Sequence, residues 1–165
     1  MAATLPGAAE REVWQLLARV PDPELPVVSI VDLGIVRYVR HGAGGRLEVG
    51  ITPTYTGCPA TAVIRRATRA ALDSAGYSAA LLEEVLSPPW TSDWVTPEGR
   101  ARLAAFGIAP PAPAADALRR AATPVRCPRC ASLATSRISE FGSTPCKAHY
   151  VCGACREPFD LFKCI

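Results

Sequence analysis

Four cysteines carry the clearest chemistry in the 165-residue sequence. Cys127 and Cys130 form one C-x-x-C, and Cys152 and Cys155 form a second, with 21 residues between the two. Each C-x-x-C places two thiolates on one tight turn, and two such turns brought together offer four sulfurs at tetrahedral corners. A site closed in this way has no open position for a substrate, so the spacing predicts a structural zinc in a ribbon. Four thiolates also suit iron, and spacing alone does not separate the two metals. Cys146 and Cys164 lie in the same segment outside the turns and read as secondary thiols. His149 reads as a surface or hydrogen-bonding residue rather than a fifth ligand.

A second candidate is Cys58, in Thr52-Pro53-Thr54-Tyr55-Thr56-Gly57-Cys58-Pro59. It stands where a strand gives way to a helix, and the unpaired N–H groups of the helix start favour a thiolate there. That suits a metal ligand or a sulfur carrier. A small inert cysteine packing the turn is an equal reading. Upstream, Pro21-Asp22-Pro23-Glu24-Leu25-Pro26 carries two carboxylates on a proline-stiffened loop. Asp22 and Glu24 could help bind iron, or be solvated turn residues, with Asp32 capping a local turn.

The elements that must position these groups follow from periodicity. Val13, Leu16, Leu17 and Val20 give the stripe of an amphipathic helix over Glu10 to Val20, stopped by Pro21 and Pro23. Ile35 to Arg40 and Arg46 to Thr52 read as an antiparallel pair joined by the glycine-rich His41 to Gly45. A second helix is expected over Pro59 to Ala75 with Gly76 as its cap, then a third strand over Leu81 to Leu86. A loop bearing the anchor residues Trp90 and Trp94 leads to a short helix capped by Thr96. Pro110, Pro111 and Pro113 mark a stiff spacer. The predicted organisation is an α+β domain over residues 1–108, a Pro/Ala-rich linker over 109–123 and a zinc ribbon over 124–165.

Composition narrows the function classes. With 49% apolar and 20% charged residues, the chain is globular in character. No apolar run is long enough to span a bilayer, and Met1 to Ala9 holds no Lys or Arg of the kind a signal peptide needs. A cytoplasmic protein with no membrane partner is expected, where seven cysteines suggest metal binding rather than disulfides. Residues 1–123 carry twelve basic and twelve acidic side chains, and residues 124–165 carry six against three. That imbalance keeps a nucleic-acid-binding ribbon as an alternative, although the basic residues are scattered.

Asp22-Pro23-Glu24-Leu25-Pro26-Val27, Ser29 to Val36 and Thr56-Gly57-Cys58-Pro59 resemble the SufT-related iron-sulfur assembly domain family. Its fold is a small α/β sandwich. Trp90-Thr91-Ser92-Asp93-Trp94, Phe141-Gly142-Ser143-Thr144-Pro145-Cys146-Lys147 and Glu157-Pro158-Phe159 resemble the PaaD family of phenylacetate degradation. The resemblance implies an accessory, non-catalytic role toward the multicomponent ring 1,2-phenylacetyl-CoA epoxidase, with its di-iron oxygenase and iron-sulfur flavin reductase. It also implies that Cys58 ligates a transient iron-sulfur cluster, with the loop of Asp22 and Glu24 nearby. Oxygenase or reductase subunits and iron-sulfur assembly proteins would be the partners. A structural subunit of the oxygenase is the alternative within the same family.

Overall fold

The computed structural model describes residues 7–111 and 125–163. These form an α+β protein of three helices and two small sheets. Cα packing divides the chain into two compact units, Met1–Trp90 and Thr91–Ile165.

In the first unit, helix α1 (Ala8–Leu17) buries Val13 and Leu17 as the stripe requires. Burying a leucine of this kind contributes about 1.5 to 3 kcal/mol. The helix ends three residues before the expected Val20, which is buried from a turn that donates its N–H to Leu17 O. Strands β1 (Val36–His41) and β2 (Leu47–Ile51) pair antiparallel across a 3-10 turn at Ala43–Gly45. Gly44 and Gly45 adopt φ of +80° and +76°, which glycine reaches without strain. Helix α2 (Ala60–Ser74) buries Ala60, Ile64, Thr68 and Leu72, one residue per turn. It carries the chain over to β3 (Leu81–Glu84), which pairs parallel with β2. A parallel neighbour requires such a crossover. The strand stops two residues short of Leu86, which is 65% exposed.

In the second unit, α3 (Pro97–Phe106) starts at Thr96, whose hydroxyl accepts the Gly99 N–H at 3.0 Å, and ends on Gly107 at φ +95°. A short strand β4 (Ile108–Ala109) follows. Strands β5 (Thr135–Ser139), β6 (Lys147–Cys152) and β7 (Pro158–Phe162) complete a sheet of order β4-β7-β6-β5. β4 lies parallel to β7, with Ile108 opposite Asp160 and Ala109 opposite Leu161. Residues 91–108, read from the sequence as the end of the first domain, fall within the second unit, and Ala109, read as the start of the linker, lies in β4. Composition changes at the proline-rich stretch, whereas packing changes at Trp90. From residue 112 onward the expected linker lies outside the described residues.

Candidate metal centre and the Cys58 loop

The four predicted ligands are brought together. Their sulfur atoms all lie within 4.8 Å of one another. Cys127 Sγ is 3.8 Å from Cys155 Sγ, and Cys130 Sγ is 3.6 Å from Cys152 Sγ. A tetrahedron with metal–sulfur bonds of about 2.3 Å has edges of about 3.8 Å, so the donor set fits a zinc-sized ion. A disulfide would need about 2.05 Å between sulfurs, and all four thiols are free.

Two matching turns build the site. The Cys127 N–H donates to Ser132 O and the Ala131 N–H to Cys127 O. In the second turn the Cys152 N–H donates to Glu157 O and the Arg156 N–H to Cys152 O. Each turn reverses through a left-handed residue, Ala131 at φ +63° and Arg156 at φ +66°. Cys127 and Cys152 are buried with Ala109 and Phe159 in the ribbon core, while Cys130 faces solvent.

Electrostatics at the site reflect the crowding of sulfur. The Cys155 N–H, aided by the Ala154 N–H and the neighbouring thiols, pulls the Cys152 thiol down to about 6 against the effect of burial. At Cys155 the Glu157 N–H favours the thiolate. Burial and the contacts with the Cys152, Cys130 and Cys127 sulfurs outweigh it and push that thiol up to about 12. One charge thus forms easily and the next is resisted, a conflict that a divalent cation among the four sulfurs would relieve.

The remaining ribbon candidates stand apart. Cys146 is buried with its sulfur 3.0 Å from Thr144 Oγ1 and belongs to no ligand cluster among the described residues. Cys164 lies outside the described residues. His149 contacts Asp160 Oδ1 through Nδ1 at 3.1 Å, the hydrogen-bonding role expected of it. Asp160 also accepts from Ser143 Oγ at 3.2 Å and faces Lys147 Nζ at 3.9 Å, although Lys147 is only 5% exposed. This group escapes sequence reasoning because it depends on the β6–β7 register, which sets His149 opposite Asp160. The Phe141 to Lys147 motif was its only local signal.

In the first unit, Cys58 is half-buried immediately before α2. Its N–H donates to Tyr55 O and its carbonyl accepts the Thr61 N–H. Gly57 before it adopts φ +82°. Asp22 is buried rather than solvated, and its Oδ1 accepts the Glu24 and Leu25 N–H groups at 2.9 and 2.8 Å. Asp32 Oδ2 accepts both the N–H and the hydroxyl of Ser29, which in turn accepts the Asp32 N–H. Both aspartates therefore organise turns. Among the described residues, Cys58, Asp22 and Glu24 form no three-ligand cluster. Trp90 is buried and donates its indole N–H to Leu33 O at 2.9 Å, anchoring the Ser29 to Gly34 turn; Trp94 is half-buried.

Comparison with known proteins matches residues 10–77 to an iron-sulfur cluster assembly protein family and residues 111–163 to the PaaD zinc beta ribbon domain. A protein of Escherichia coli (strain K12), named as one of the subunits of 1,2-phenylacetyl-CoA epoxidase, is 50% identical over 163 residues, covering 99% of this chain and 98% of that one. An Fe-S protein maturation auxiliary factor of Porphyromonas gingivalis (strain ATCC BAA-308 / W83) is 32% identical over 57% of this chain and 90% of its own length. Among solved structures, a domain of unknown function, DUF59, from Bacillus anthracis aligns with a TM-score of 0.51 at 28% identity, covering 58% of this chain and 92% of that one.

Proposed function

The chain belongs to the PaaD family, whose Escherichia coli member is named for 1,2-phenylacetyl-CoA epoxidase, and from that premise we propose that it is a non-catalytic, cytoplasmic accessory protein that assists iron or iron-sulfur assembly in the epoxidase. The observation that carries this reading is the union, in one chain, of an iron-sulfur assembly domain and a four-sulfur ribbon. Zinc held by Cys127, Cys130, Cys152 and Cys155 supplies a structural cross-link that makes the ribbon a rigid docking piece. Cys58 is the transient acceptor of iron or of a cluster in transit to the oxygenase or reductase. Its half-buried thiol beside a positive-φ glycine stays reachable while the turn holds it at the helix start. Asp22 shapes the adjoining loop, and Glu24 is carried on it.

The electrostatic case for nucleic acid weakens once the metal is counted. Residues 124–165 carry a formal +3, from six basic and three acidic side chains. Four thiolates around a divalent ion subtract two, leaving +1.

The test is to produce the oxygenase and reductase with and without this chain, then measure both iron content and epoxidase activity. Under-loaded iron without the chain is the expected result. Full iron loading with impaired activity would instead favour a structural subunit, the reading that the relative's own name supports.

A further inference from the structure

We propose that the ribbon is a peroxide-sensitive switch, in which Cys130 takes up the oxidant and Cys152 closes a cross-turn disulfide onto it, releasing zinc. This goes beyond the proposed function and rests on the four-sulfur site alone. The four ligands differ in access. Cys127 and Cys152 are 1% and 0% exposed, Cys155 is half-buried, and Cys130 faces solvent. A dissolved oxidant therefore meets Cys130 first.

Both reactants are prepared for this chemistry. Zinc holds its sulfur ligands as thiolates at neutral pH, the form that attacks peroxide. Arg126 precedes Cys127, Arg129 precedes Cys130 and Arg156 follows Cys155, whereas Glu157 is the one acidic residue within two positions of any of the four. Positive surroundings of this kind favour a reactive thiolate. The second thiol stands on the opposite turn. Cys152 Sγ lies 3.6 Å from Cys130 Sγ and accepts the Cys155 N–H at 3.5 Å. A disulfide needs about 2.05 Å, so the pair has roughly 1.5 Å to close. Cys130 is on the solvent side of its turn, where packing opposes such a shift least.

The electrons balance in two steps. The Cys130 thiolate attacks one oxygen of hydrogen peroxide; an S–O bond forms, the O–O bond breaks, and hydroxide leaves and takes up a proton. The Cys152 thiolate then attacks the Cys130 sulfur; the S–S bond forms, the S–O bond breaks, and a second hydroxide leaves and is protonated. Two thiolates have lost two electrons, one peroxide has become two waters, and two protons have been consumed. Only two thiolates remain, too few for the closed tetrahedral site of a structural zinc. The new bond links the turns across the gap the metal had spanned, and a dithiol reductant restores the ligands.

Zinc-loaded full-length chain is treated with hydrogen peroxide while a chromophoric chelator reports free zinc. Zinc release is expected, with peptide mapping giving a Cys130–Cys152 disulfide and dithiothreitol plus zinc reversing both. Cys130→His keeps a fourth ligand without the thiol and should release zinc at least about tenfold more slowly. Cys152→His removes the resolving thiol, so dimedone should trap sulfenic acid at Cys130. Should either variant fail to hold zinc, iodoacetamide labelling of the wild-type protein decides, with Cys130 expected to react first among the four ligands. Zinc retained in excess peroxide, a within-turn Cys127–Cys130 disulfide, or labelling of Cys155 before Cys130 would overturn the proposal. None of these measurements involves Cys58 or the epoxidase, so failure with zinc bound sinks this inference alone; a chain isolated without metal would sink the structural zinc as well.

Discussion

Cys130 Sγ, on the exposed side of the first turn, lies 3.6 Å from Cys152 Sγ, at the buried heart of the second. The two halves of the ribbon meet through sulfur, around a core whose buried members are Ala109, Cys127, Cys152 and Phe159. That cluster holds only four buried residues, so metal ligation must hold the two turns together. Structural zinc contributes roughly 10 kcal/mol or more in small domains. Cys152→Ser should therefore unfold the ribbon while leaving the first unit folded. Elemental analysis is expected to give one zinc per chain for wild type and none for the variant, with amide spectra showing loss of the ribbon signals alone. A red-brown protein containing iron would replace zinc in this account.

The pH dependence of that metal has a definite sign. Cys152, ordinarily at 9.0, is lowered to about 6 by the folded arrangement of the turns, so between those values the native chain holds fewer protons than the unfolded one. Its contribution to stability is present above about 9 and is lost as pH falls through about 6. Cys155, raised to about 12, keeps its proton across that range until metal takes its place. Zinc affinity should thus rise with pH between 6 and 9. In weakly buffered titration at pH 7.5, zinc added to the unfolded, metal-free ribbon should release protons, because the thiols must lose theirs to ligate it. A pH-independent affinity would contradict the coupling.

The left-handed backbone at Ala131 and Arg156 gives a prediction of opposite direction, a gain in stability. A side chain in that region costs about 1 to 2 kcal/mol relative to glycine, partly offset by the greater freedom of glycine in the unfolded chain. Ala131→Gly and Arg156→Gly should each stabilise the metal-loaded ribbon by about 1 kcal/mol. Slower metal loss to a chelator, at unchanged stoichiometry, is the measurement.

Legibility in the sequence followed the range of the interactions. The Val13 and Leu17 stripe and the paired C-x-x-C turns are set by neighbours a few residues apart, and their spacing announced them. Thr96 as a cap is likewise local. The parallel pairing of Ile51 with Glu84, and of Ala109 with Leu161, brings together segments 33 and 52 residues apart, as their numbers show. No local pattern encodes that choice. Asp22 was ambiguous for a related reason: its turn-forming chemistry is local, but its burial depends on the chain folding back so that its N–H reaches Val28 O. The cross-strand placement of Asp160 against His149 and Lys147 was invisible until β6 and β7 were in register.

The two candidate residues of the first unit can be separated by stability. Asp22 Oδ1 holds two backbone N–H groups in a buried turn. Asp22→Ala leaves those donors without their acceptor and should cost about 1 to 3 kcal/mol. The Tyr55 and Thr61 hydrogen bonds of Cys58 run through its backbone, so Cys58→Ala preserves them. Denaturant unfolding of Cys58→Ala should fall within about 0.5 kcal/mol of wild type, as surface changes usually do. Yet in cells lacking the native protein, Cys58→Ala should leave the epoxidase short of iron, with activity lost in proportion. Full restoration of both by Cys58→Ala would show that the thiol carries no iron or cluster. Folding lost by Cys58→Ala, with Asp22→Ala unaffected, would reverse the roles assigned to these two residues.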